Sequence, residues 1–114
     1  MMKLNLYVLV RDMAQSVSFY EQVFQRPPVV QNPGFSAFAL GDALYGLFDV
    51  ANHPQPSFGS NVVPNIQVED VNALYQRLSQ MDSPFKSEIR VNGPYRLFLF
   101  ADPDMNVIEF YAQV

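Results

Sequence analysis

The feature that most constrains this chain is an order of elements that occurs twice: a strand, a helix, then further strands. In the first half, Leu4, Leu6, Val8 and Val10 alternate with Asn5, Tyr7 and Leu9, which predicts a strand over 4–10 with one apolar face. Asp12 follows as an N-cap, with Gln15 three residues later in the capping-box position. Met13, Val17, Tyr20 and Phe24 then recur at helical spacing, enough for roughly three turns before Arg26-Pro27-Pro28 stops the helix. Phe35–Leu40 and Ala43–Val50 read as a hairpin around Gly41-Asp42. Ala51–Ser60, rich in Pro, Gly, Ser and Asn, reads as a connecting loop.

The second half repeats this order. Val62–Val68 predicts a strand and Asp70 a cap. Val71, Leu74, Tyr75, Leu78 and Met81 form the apolar stripe of a second helix, and strands follow at Pro84–Val91, Tyr95–Phe100 and Asn106–Ala112. An offset of 58 residues lays Val10-Arg11-Asp12 over Val68-Glu69-Asp70. An offset of 63 lays Leu44-Tyr45-Gly46-Leu47-Phe48 over Val107-Ile108-Glu109-Phe110-Tyr111, and loop length accounts for the difference. Each half therefore reads as a βαβββ unit of α+β character. The modules fall at about 1–52 and 60–114 of a single domain spanning 1–114, a length that allows one modest core.

Composition removes several function classes. The chain has no cysteine, so it has no disulfides, thiolate metal sites or cysteine nucleophile. Its net charge of −4 argues against nucleic acid, because phosphate binding needs clustered Lys and Arg. No run of about 18 apolar residues is present, so a helical membrane span is not expected. The N-terminal Met-Met-Lys-Leu-Asn runs straight into the strand pattern without a separate apolar stretch, and a cytoplasmic location is the expectation.

The segment Phe100–Tyr111 carries a resemblance. Asp102-Pro103-Asp104 makes a tight turn into a strand holding one carboxylate, Glu109, among apolar neighbours. With the tandem βαβββ order, this resembles the vicinal oxygen chelate superfamily of glyoxalase I, extradiol dioxygenases, fosfomycin-modifying enzymes and bleomycin-resistance proteins. The resemblance implies a curved mixed sheet with helices on its outer face and a cavity on its inner face. For family members of this length it also implies a homodimer.

In the family's metalloenzymes the metal ligands come from the first and last strands of each unit. Carried onto this chain, those positions fall on Asn5, Gly46, Val63 and Glu109. Only Glu109 is a competent ligand; glycine and valine coordinate nothing through side chains, and a neutral amide is a weak ligand for a transition metal. The chain has one histidine, His53, in the Pro-rich loop, so even a homodimer could bring only one to each of two sites. The expectation is no metal and no cofactor.

The candidate ligand-binding residues are Asn5, Tyr7, Phe48, Glu109 and Tyr111, with Glu109 also a candidate general base. Against this, Glu109 could be a remnant carboxylate paired with Arg96, and Asn5 and Tyr7 could be satisfied core groups. Phe35, Phe38, Phe48, Phe98, Phe100 and Tyr111 divide between core and cavity, with the facing of Phe98 and Phe100 open. Arg96 could equally clamp an anion or lie at the surface. His53 reads as a loop residue. Ser57-Phe58-Gly59-Ser60 lacks the spacing of a nucleophile elbow. Met105 stands where relatives usually carry glycine. The expected function is metal-independent binding of a small aromatic or cationic molecule, as in bleomycin-resistance proteins. The alternative is a glyoxalase-like lyase or isomerase with an atypical active site, so enzymatic activity stays open.

Overall fold

A computed structural model describes residues 3–52 and 62–114. His53 and Ser57-Phe58-Gly59-Ser60 lie outside the described residues, as does most of the expected connecting loop. The chain divides into two compact units, residues 1–58 and 59–114.

In the first unit, β1 (Leu6–Val10) leads into α1 (Met13–Phe24), followed by β2 (Val30–Gln31), β3 (Phe35–Leu40) and β4 (Ala43–Asp49). The strands pair in the order β1-β4-β3-β2, with β1 parallel to β4 and the other pairs antiparallel. Asp12 caps α1, its Oδ1 accepting from Gln15 N at 3.0 Å. The helix ends where Gln25 turns left-handed at φ 53, donating its N–H to Glu21 O. Leu40 pairs with Ala43 across the Gly41-Asp42 turn, and Gly41 takes φ 59, a conformation open to glycine. Beneath α1 lies an aromatic core. Tyr20 and Tyr45 share a 2.9 Å hydroxyl–hydroxyl bond, which satisfies polar tips that burial would otherwise leave unpaired, and Phe38 packs against both Tyr20 and Phe24.

The second unit repeats the plan. It consists of β5 (Asn65–Gln67), α2 (Val71–Leu78), β6 (Arg90–Asn92), β7 (Tyr95–Ala101) and β8 (Val107–Gln113), paired in the order β5-β8-β7-β6. Asp70 caps α2 by accepting from Ala73 N at 3.0 Å. Phe98, Phe100, Ile108 and Phe110 are all buried, and the Tyr75 ring of α2 meets Phe98 edge-on at 5.0 Å. That contact settles the facing of Phe98 and Phe100: both belong to the helix-side core. Phe38 does the same in the first unit.

Several strands are shorter than the sequence pattern predicts. The expected strand over 4–10 begins at Leu6, and that over 62–68 is confined to Asn65–Gln67, after Pro64, which has no N–H to give a ladder. The expected strand over 84–91 regularises only at Arg90. Before it, Ser83 Oγ donates to Ala101 O and Ser87 Oγ accepts from Leu99 N, so serine hydroxyls take ladder positions along β7. The second helix stops at Leu78, short of Met81, where Ser79 Oγ bonds back to Tyr75 O. β2 has no counterpart in the sequence reading, because two residues carry no measurable alternation.

Candidate functional site

Each sheet has a helix-covered face and an opposite face, and strand parity assigns the side chains between them. On β8, Ile108, Phe110 and Ala112 turn to the helix, while Val107, Glu109 and Tyr111 take the other face, half-buried. Leu97 and Leu99 of β7 share this face, standing opposite Tyr111 and Glu109 respectively.

Asn65 is the direct neighbour of Glu109 in the parallel β5–β8 register. Its Nδ2 donates to Glu109 Oε1 at 2.6 Å, a short, charge-assisted bond. Two residues on, Tyr111 Oη donates weakly to Gln67 Oε1 at 3.4 Å, and the Tyr95 ring meets Tyr111 edge-on at 5.7 Å. Two shallow depressions adjoin here. One, of about 350 Å³, is lined by Arg90, Val91, Asn92, Leu97, Leu99 and Glu109. The other, of about 330 Å³, is lined by Asn65, Asn92, Tyr95, Leu97, Glu109 and Tyr111. Both fall in the volume range of small-molecule sites, and they meet at Glu109.

Arg96 is not the partner of Glu109. It stands opposite Ala112, on the helix side with Phe98 and Phe100, and borders a separate depression beside Glu69 and Asp70. The cation on the Glu109 face is Arg90, opposite Leu97. The neighbour expected at Val63 is Asn65, two residues later.

The first unit presents a different surface on its corresponding face. Tyr7, 49% exposed, lies 5.2 Å from the Phe48 ring, and Phe48 lies 6.2 Å from Phe35. Gly46, the register partner of Tyr7, makes room for this cluster. A Cβ at residue 46 would stand 2.8 Å from Phe35 Cε1, so the Phe35 ring already fills the space a side chain would need. Asn5 does not join the cluster. It precedes β1, and its Oδ1 accepts from Leu44 N at 2.9 Å, holding backbone.

The residues at the family's metal positions do not fit a transition metal. Gly46 offers no donor and its space is filled by a ring; Asn65 directs an amide N–H, not a lone pair, at Glu109. No group of three or more His, Cys, Asp or Glu able to hold a metal occurs among the described residues.

Tandem βαβββ units with a carboxylate on the last strand define a protein of the vicinal oxygen chelate type. The chain belongs to the Glyoxalase/Bleomycin resistance protein/Dioxygenase superfamily, whose model matches residues 4–110. It is 30% identical over 110 residues to the phenazine antibiotic resistance protein EhpR of Enterobacter agglomerans, covering 89% of this chain and 84% of that one. Among solved structures it is similar to TnmS3, an antibiotic-binding protein from Streptomyces sp. CB03234, with a TM-score of 0.82, 23% identity and coverage of 96% and 93% of the two chains. It is also similar to the bleomycin-binding protein of Streptomyces verticillus, with a TM-score of 0.76, 18% identity and coverage of 100% and 98%. These structural likenesses establish the shared fold. No helix among the described residues is long and apolar enough to cross a membrane.

Proposed function

We propose that this protein binds a small, planar, partly aromatic molecule without a metal, in the manner of an antibiotic-sequestering protein, and acts as a cytoplasmic homodimer. The observation that carries this reading is the filling of the Gly46 position by Phe35. Where the family's metalloenzymes place a carboxylate, this chain has glycine under an aromatic ring. Tyr7, Phe35 and Phe48 supply flat apolar surface, and ring-on-ring contacts of this kind contribute about 0.5–1.5 kcal/mol each beyond area burial. The second unit carries hydrogen-bonding groups of its own in Glu109 and Tyr111, and the antibiotic-directed names of three relatives point the same way. Asn5 supports this surface indirectly, by holding the Leu44 backbone.

Calorimetric titration with phenazine, before and after exhaustive treatment with a chelator, tests the proposal. Binding at micromolar affinity that is unchanged by chelation is the expected result. Binding that disappears with the chelator and returns with Ni²⁺, Zn²⁺ or Mn²⁺ would refute metal independence. Conversion of the ligand to a new product would refute simple sequestration.

A further inference from the structure

The face of the second unit around Glu109 carries opposite charges across an apolar floor. Leu97 and Leu99 form the floor of the 350 Å³ depression, with Glu109 on β8 at one side and Arg90 on β6 at the other. β7 lies between those strands, so their backbones stand roughly 10 Å apart, two inter-strand spacings. Glu109 takes its hydrogen bond from Asn65, and makes none to Arg90 among the described residues. The two charges are thus held apart rather than spent on each other.

Asn65 also determines what Glu109 can accept. With Oε1 engaged at 2.6 Å, the carboxylate is fixed in orientation and keeps Oε2 for an incoming N–H. The Arg90 guanidinium is a forked donor suited to a carboxylate, and it sits on an exposed edge strand where a ligand can reach it. On the far side of Glu109, the edge-on pair Tyr95 and Tyr111 lines the adjoining depression with ring surface.

We infer that this face selects amphoteric ligands: a planar ring system carrying an ammonium or N–H donor at one edge, read by Glu109, and a carboxylate at another, read by Arg90. This rests on the small-molecule-binding reading above and narrows it to a ligand class. Asn65 is a positioning residue, acting through Glu109.

Four probes test it on the intact protein by calorimetry: unsubstituted phenazine, a phenazine with one alkylamine, one with a carboxylate, and one with both. The expected result is that the doubly substituted probe binds at least tenfold tighter than either singly substituted one. Arg90→Gln should then abolish the gain from the carboxylate alone, and Glu109→Gln the gain from the amine alone. If unsubstituted phenazine binds as tightly as the amphoteric probe, the inference fails while the binding function stands. It fails in the same way if both variants weaken all four probes equally. If none of the four binds, the binding function fails and the inference with it.

Discussion

At Gly46 an added Cβ would stand 2.8 and 2.9 Å from Phe35 Cε1 and Cζ and 3.0 Å from Tyr7 Cβ. The ring can swing aside, but the Tyr7 Cβ is tied to the β1 backbone. Gly46→Ala should therefore destabilise by about 1–3 kcal/mol, the usual cost of forcing extra volume into packed surroundings. Urea unfolding measures it, and Phe35→Ala in the same chain should recover part of the loss, because it removes the closer obstruction. A loss that Phe35→Ala leaves untouched would show that the ring does not occupy the space. Met105 presents the opposite case. Asp102 Oδ1 accepts from Asp104 N and Asn106 N, and Oδ2 accepts from Asn106 Nδ2, so this turn is built around one buried carboxylate. It forces Met105 to φ 65 while leaving its side chain 52% exposed. Met105→Gly should raise stability by about 0.5–1 kcal/mol, since the left-handed conformation costs a side-chain-bearing residue more than glycine's extra unfolded freedom does. An unchanged or lowered unfolding midpoint would contradict that account.

The elements show how far periodicity reaches and where it stops. Offsets of 58 and 63 residues, read from repeated pattern, match the pairing of the strands: Tyr7 stands opposite Gly46 and Asn65 opposite Glu109, equivalent places in the two units. Both helices and their Asp caps are legible in the sequence, because capping chemistry and 3.6-residue spacing are local. The placement of Glu109 and Tyr111 away from the helix is legible too, since β8 alternates cleanly. Asn65 as the partner of Glu109 is harder to see, although the 58-residue offset aligns it with Tyr7. Arg96 competes for that role in the sequence because its face depends on register with Ala112, which the strand's own composition does not reveal. The serines before β6 blur its start, as side-chain hydroxyls replace backbone partners. At this scale the cap of α2 makes a clear prediction. A helix of eight residues has little stability of its own, so satisfying its first N–H groups matters. Asp70→Ala should cost about 1 kcal/mol in thermal or urea unfolding, and Asp70→Asn should retain most of that stability, since asparagine caps as well. Equal losses in both variants would mean that the Oδ1 bond to Ala73 N is not the source.

Both sheets end on short strands with apolar side chains in the open. β2 and β6 are outer strands of their sheets, and Val30 is 38% and Val91 67% exposed, beside Val29 at 60%. Natural proteins charge, shorten or cover such edges, because unpaired backbone beside apolar surface invites association with another chain. Here the edges are short but carry valine, which fits a surface meant to be covered. A second copy of this chain would bury them if the contact reached the roughly 1,200–2,000 Å² of a stable interface. Static light scattering at micromolar concentration should therefore give twice the 13.0 kDa chain mass. Val30→Lys puts a charge on the β2 edge and should shift the population toward monomer. Val30 lines neither depression at Glu109, so ligand titration of the monomerised variant separates assembly from binding. Affinity that survives monomerisation assigns the site to a single chain, and affinity lost with the dimer assigns it to both. A wild-type protein that scatters as a monomer across that concentration range would remove the dimer from the proposal, leaving the exposed valines without a partner to explain them.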